Sequence, residues 1–289
     1  MAPCAKAVTK PASSSPLTDA ELPQFANEIR LAALRMISRS NSSHIGTVFS
    51  CTEVLACLYG RILRVRPDEP DWPGRDRFVM SKGHGAAGLY ATLALRGFFP
   101  RQRLDEFCVD GGSLYGHVTH RGVPGVDVST GALGHGLAIA VGLVAGAARK
   151  GAPWRVFALL SDGECDEGST WEAALLAPAW KQSNLTAIID YNKIQSLGRV
   201  EDVLPLEPFA AKWKAFGWDT REVDGHDIPS LLEALDPERW VPMDRPRCII
   251  AHTIKGKGVS FMEDDLLWHY RTPKGEEYER ALAELERPV

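Results

Sequence analysis

The sequence has no apolar run long enough to span a membrane, no cysteine framework, no surplus of basic charge and no repeat at periods of 20 to 50 residues. Each absence removes a class. Across 289 residues, 33 Lys and Arg stand against 37 Asp and Glu, a net charge of −4, which argues against a nucleic-acid partner or an anionic membrane surface. The six cysteines, Cys4, Cys51, Cys57, Cys108, Cys165 and Cys248, show neither metal-ligand spacing nor pairing, so reduced thiols in a cytoplasmic setting are expected. Ala2 to Pro16 is rich in Ala, Ser, Pro and Lys and lacks the apolar core of a secretory signal. The expected organisation is a disordered tail over 1–16, one domain over 17–262 that can bury a substantial core, and an extension with a helix over 263–289.

What is present is an alternation of short apolar runs and helical periodicity. Thr18 and Glu21 form a capping-box pattern, and Leu22, Phe25, Ile29, Ala33, Met36 and Ile37 keep one helical face to Ser40. Asn41 to Gly46 reads as the loop that stops this helix, with His44 inside it. Phe78 to Met80 reads as a strand with Ser81 to Gly85 as its exit, and Ala86 to Leu95 as a helix. A long small-residue helix runs to Arg149, where Gly142 and Gly146 predict close helix packing. Further strands are expected at Trp218–Val223 and Cys248–His252. This is an α/β pattern, a three-layer sandwich on a mostly parallel sheet.

Val156 to Ile194 carries the densest signal. Val156–Leu160 is a buried-strand run ending at Ser161-Asp162-Gly163, a helical segment follows, and Leu185–Asp190 is a second strand with Asn192 just beyond it. Ligands of βαβ units gather at the carboxyl ends of parallel strands, where Asp162 and Asn192 fall. One carboxylate and one amide suit Mg²⁺, which takes few protein ligands and completes its shell with phosphate oxygens and water. Gly163 lets a diphosphate approach the backbone. Asp162 capping a helix accounts for the same residues, and the pattern alone leaves both readings open. Cys165, within this stretch, reads as a bystander on a surface loop.

Asp162-Gly163, Glu167-Gly168 and Asn192 with Ile194 resemble the thiamine-diphosphate motif, with Ser161 where that motif usually has glycine. His44-Ile45-Gly46, Ser81-Lys82-Gly83-His84, Gly116-His117 and Ser129-Thr130-Gly131-x-Leu133-Gly134 precede it in the order found in transketolases. From Thr18 to His269 the chain resembles the amino-terminal half of a transketolase, made as a separate subunit with the thiamine-diphosphate-binding fold. The alternatives are the α subunit of another thiamine-diphosphate enzyme, such as a 2-oxo acid dehydrogenase, and a non-catalytic subunit that keeps the fold.

The resemblance implies a ketol transfer, in which a two-carbon unit passes from a ketose, phosphorylated in the family's usual case, to an aldehyde. It implies thiamine diphosphate with Mg²⁺, or Ca²⁺ or Mn²⁺, held by Asp162, Asn192 and the Ile194 carbonyl. Gly131, Leu133 and Gly163 then contact the cofactor, His84 and His269 serve its diphosphate or proton transfer, and His44 and His117 bind sugar oxygens. Lys82 either helps hold anionic charge or is solvated. Glu167 and Glu172 resemble an acidic pair at the subunit interface. Tyr270 follows His269 where the family usually has glycine, and a bulky residue there is expected to move or shield His269. The family's pyrimidine-binding half is not in this sequence, so a partner chain and an α2β2 assembly are expected.

Overall fold

Strands buried on both faces need continuous apolar sequence, and Val156–Leu160 and Leu185–Ile189 provide it. The computed structural model describes residues 15–241 and 243–287. In it, β1 (Arg77–Met80), β2 (Val156–Ser161), β3 (Leu185–Tyr191), β4 (Asp219–Asp224) and β5 (Arg247–His252) form one sheet in the order β1-β2-β3-β5-β4. All adjacent pairs are parallel. Parallel pairing requires crossovers, and helices supply them on both sides.

Alternate residues of β2 divide the core in two. Phe157 and Leu159 pack beneath α1 (Leu22–Ser40), α3 (Thr52–Cys57) and α4 (Ala86–Arg96), while Val156, Ala158 and Leu160 face α5 (Gly136–Lys150) and α6 (Gly168–Ala179). The result is a three-layer α/β sandwich. After β3 come α7 (Val200–Val203) and α8 (Phe209–Ala215), and α9 (Ile228–Leu235) bridges β4 to β5. α10 (Glu276–Leu285) lies on α1, where Asn27 Nδ2 donates to the Leu285 carbonyl at 2.6 Å. Most of the tail expected over 1–16 falls on residues outside those described. No described helix is long and apolar enough to cross a membrane.

Register sets the strand ends level with one another. Ser161 pairs with Asp190, and Tyr191 with His252. The exits of β1, β2, β3 and β5 therefore open on one edge of the sheet, where the loops that follow them meet.

Three local expectations are corrected. The loop before α2 (Ile45–Ser50) ends at His44, because Ile45 and Gly46 already belong to that short helix. His44 precedes it with φ 74, a left-handed turn that reverses the chain after α1. Cys165 is 1% exposed rather than on a surface loop, because the turn after β2 folds inward. Gly142 and Gly146 do not serve close packing, since a Cβ built at either meets no atom within 4 Å. Their missing side chains thus only weaken α5. Gly142→Ala and Gly146→Ala should each raise stability by roughly 0.5–1 kcal/mol, read as a higher urea midpoint; an unchanged or lower midpoint contradicts the open environment.

Candidate active site

At the level strand ends lies a cavity of about 200 Å³ lined by His44, Thr47, His84, His117, Gly131, Leu133, Asp162, Gly163, Asn192, Ile194, Lys255, His269 and Tyr270, among others. Distant stretches of chain thus converge on one space. His44 sits centrally, its ring centroid 5.2 Å from His84, 5.9 Å from His117 and 5.3 Å from His269. A backbone bond ties two of these loops, from the His44 N–H to the His269 carbonyl at 3.0 Å. Gly131, at φ 150, lies against His117, whose ring a Cβ would meet at 3.1 Å.

Beneath the cavity is a fully buried ion pair. Lys82 Nζ contacts Asp190 Oδ2 and donates to the Thr47 carbonyl at 3.1 Å. Asp190 also accepts from Ser50 at 2.5 Å, from Thr253 and from Asn192 Nδ2 at 3.2 Å. Lys82 is therefore neither solvated nor free to meet a ligand anion, as the sequence alone allowed. Burial opposes both charges, yet their attraction outweighs it: Lys82 is held above the ordinary lysine range and Asp190 below the ordinary carboxylate range.

Asp162 has a different balance. Burial, then the neighbouring Asp190 charge, push its carboxyl up to about 6, against the N–H groups of Gly163 at 2.7 Å and Lys193 at 2.5 Å. The Asn192 Oδ1 accepts from the Ile194 N–H at 3.1 Å, and the Ile194 carbonyl accepts from Lys255 Nζ at 2.7 Å. Lys255 is buried, which lowers it to about 8, and its amine also lies 2.7 Å from His269 Nδ1. A donor here leaves His269 Nδ1 accepting and its proton on Nε2. An under-compensated carboxylate next to an amide and a carbonyl that already attracts an amine fits a divalent cation. Among the described residues no three His, Cys, Asp or Glu side chains gather as a metal site; the candidate donors are one carboxylate, one amide and one carbonyl, a set with which Mg²⁺ is compatible.

His44, His84 and His269 are held in their neutral form in this setting. Burial first, then nearby His117, Lys255 and Lys82, lower His44 to about 4, and burial with Lys255, His44 and Lys82 lowers His269 to about 3. His84 is also pushed well below its usual value, mainly by burial. Its Nε2 lies 3.3 Å from Thr47 Oγ1. Tyr270 has φ −116, an ordinary backbone value, and its exposed ring rests 4.6 Å from His269 and 5.8 Å from His44. Of the two expected effects, the tyrosine does not carry His269 out of the histidine cluster, and its ring covers the imidazole from the rim.

Glu167 and Glu172 do not join the cavity. Both are exposed, Glu167 at the start of α6 and Glu172 one turn in. Sequence reasoning missed Glu164, Lys255, Asp190 and Thr47. Glu164 is fully buried and accepts from Ser81 Oγ at 2.5 Å and the Gly134 N–H at 2.9 Å, joining the exits of β1 and β2 to the loop before α5. The available signal was a charge in an apolar context: Asp190 ends a buried strand, and such a carboxylate needs partners.

Residues 22–280 match the family described as transketolase, thiamine diphosphate binding domain. The chain is 40% identical over 267 residues to a 6-deoxy-6-sulfo-D-fructose transketolase subunit of Clostridium sp. (strain MSTE9), covering 92% of this chain and 97% of that protein. It is 41% identical over 269 residues to an apulose-4-phosphate transketolase subunit of Phocaeicola vulgatus, covering 93% and 94%. Among solved structures, a transketolase from Leishmania mexicana is similar with TM-score 0.86 and 31% identity over 92% of this chain, which spans only 41% of that one.

Two outcomes follow from the electrostatics. Lys82→Met or Asp190→Asn alone should cost about 3–5 kcal/mol in urea unfolding, because each strands a buried charge, whereas Lys82→Met with Asp190→Leu should recover most of it. Equal losses in single and double variants would contradict the pairing. His44, His84 and His269 refuse protons that the unfolded chain accepts below 6.5, so stability should fall as pH drops from 6.5 through about 4. Asp162, raised from 3.8 to about 6, works against this in part of the same window. Urea midpoints at pH 7, 6 and 5 measure the slope, and His44→Asn should flatten it.

Proposed function

The chain belongs to the transketolase family through its thiamine-diphosphate-binding domain, and on that premise we propose that it is the cofactor-binding subunit of a two-chain transketolase, transferring a two-carbon ketol unit from a ketose to an aldehyde. The observation that carries this reading is the single cavity in which Asp162, Asn192 and the Ile194 carbonyl face His44, His84, His117 and His269. Relatives that this chain spans almost whole are named as subunits, which supports a separate partner.

Asp162, Asn192 and the Ile194 carbonyl would hold Mg²⁺, and Gly163 gives the diphosphate room at the start of the turn after β2. Lys255 and His84 stand where they can meet its negative charge, while Gly131 and Leu133 supply backbone and an apolar wall. Bound there, thiamine diphosphate supplies the carbon nucleophile and the electron sink that let the bond beside a ketose carbonyl break. The chain supplies position and proton handling. His269, with its proton on Nε2, can donate to a sugar oxygen. His44 and His117, on the open side of the cluster, are placed to hydrogen-bond the donor and acceptor hydroxyls. A neutral His44 imidazole suits this task because it offers one donor and one acceptor.

The partner is the pyrimidine-binding half, and we assign the assembly as α2β2 with the sites at interfaces. Glu167 and Glu172, exposed beside the cavity, are placed to meet that partner and share protons with it. The sugar's anionic end falls to the partner as well, because Lys82 is committed to Asp190 and Lys255 to the cofactor end. Among the described residues five free cysteines, four of them buried, suit a reducing cytoplasm.

Calorimetric titration of thiamine diphosphate with Mg²⁺ tests the reading, with the chain alone and with the pyrimidine-binding partner. Binding should be weak alone and tight in the mixture, and Asp162→Ala should weaken it by about 100-fold or more. No binding to the folded chain in either case would leave a non-catalytic relative.

A further inference from the structure

The segment Thr253-Ile254-Lys255-Gly256-Lys257-Gly258 leaves β5 and delivers Lys255 into the cavity. Nothing in its own sequence makes it rigid. Gly256 and Gly258 take φ 80 and 96, so the strap bends at two residues that impose little on the backbone. Its placement therefore depends on what grips it from outside. Thr253 is tied to Asp190 and to the Tyr191 carbonyl, and the Gly256 N–H donates to the Gly46 carbonyl at 3.0 Å. Between these two anchors the Lys255 carbonyl accepts from the Asp264 N–H at 2.9 Å, and the Ile254 N–H donates to a side chain, His226 Nε2, at 2.8 Å.

His226 is gripped in turn. With Nε2 accepting, its proton lies on Nδ1, which faces Glu53 Oε2 at 3.0 Å. The same carboxylate oxygen takes Arg30 Nη2 at 2.6 Å, and that nitrogen also donates to the Phe49 carbonyl at 3.0 Å. Arg30 and Glu53 are 6% and 8% exposed. A chain of contacts, buried at Arg30 and Glu53 and exposed at its last bond, thus runs from α1 through α3 to the turn after β4 and ends on the amide beside Lys255.

We propose that His226 is a positioning residue for the cofactor pocket: the Arg30–Glu53–His226 relay fixes the strap so that Lys255 Nζ stays on the Ile194 carbonyl and against His269 Nδ1. His226 touches neither cofactor nor substrate, and acts only through the Ile254 amide. The proposal rests on the cavity being the thiamine-diphosphate site only for its functional consequence; the strap's mobility is a property of the chain itself.

Two isosteres separate the halves of the relay. The Gln side chain reaches the position of Nε2 and can accept from Ile254, whereas Asn reaches only the position of Nδ1 and keeps the Glu53 contact. In the full chain, His226→Asn should speed deuterium exchange of the 253–258 amides and weaken thiamine-diphosphate binding with Mg²⁺, each by about five- to tenfold, while His226→Gln, which keeps the Ile254 bond and loses the Glu53 contact, should change both by only about two- to threefold. The thermal midpoint should move alike in both variants, so a difference between them reports the Ile254 bond and not general loosening. Exchange at 253–258 unchanged in His226→Asn, or equally fast in Asn and Gln, overturns the proposal whatever the cofactor affinity. If the parent protein binds no thiamine diphosphate, the exchange data still decide whether His226 holds the strap, and the functional reading fails separately.

Discussion

The buried pair of Lys82 and Asp190 is the constraint around which this end of the sheet is arranged. Two charges without water must find every partner locally, or the fold loses several kcal/mol. Lys82 comes from the exit of β1, Asp190 from the end of β3, Ser50 from α2 and Thr253 from the exit of β5, and all meet at one point. A pair of this kind contributes less to net stability than to specificity, because any other alignment of strand ends leaves a charge unpaired. Asn192 is drawn into the same network through Nδ2, which turns its Oδ1 toward Ile194 and the cavity. The negative charge of Asp190 also raises Asp162, so the support beneath the site prepares the electrostatics of the oxygen set above it.

Much of this architecture is legible in the sequence, since burial on both faces imposes a readable pattern. The apolar runs at β2 and β3 and the helical face of α1 follow directly from periodicity, and α1 ends at Ser40 as expected. The histidines are legible only through the family resemblance: a loop histidine among glycines and small polar residues reads by itself as incidental, and the ordered motifs around His44, His84 and His117 give them their expected roles. What the sequence does not disclose is pairing across distance. Glu164 and Ser81 lie 83 residues apart. No local pattern marks them as partners. Nor does periodicity separate a glycine needed for contact from one facing open space, so Gly142 and Gly146 mislead where Gly131 does not.

Several cavity residues come in two tiers. The histidines, Thr47 and Asp162 face the space, while Glu164, Asp190 and the Arg30–Glu53–His226 chain lie behind the loops that present them. The outer tier is assembled from helices on one face and strand exits from the centre, so its members are scattered through the sequence. Tyr270 belongs to neither tier. Its ring lies at the rim on His269 and His44, adding an aromatic surface to the entrance without bending the backbone beneath it.

The last strand position carries a consequence of its own. β4 pairs only with β5, so its outer side is a sheet edge, and the strand reads Asp-Thr-Arg-Glu-Val-Asp. An edge so rich in charge disfavours recruitment of a further strand, because each added neighbour would bury carboxylates against the ladder. Arg221 lies over the Trp240 ring at 3.9 Å and Glu222 pairs with His252, which further occupies that edge. Growth of the sheet from this edge into a continuous intermolecular array is thereby discouraged, and a partner meeting this side does so through side chains instead of backbone.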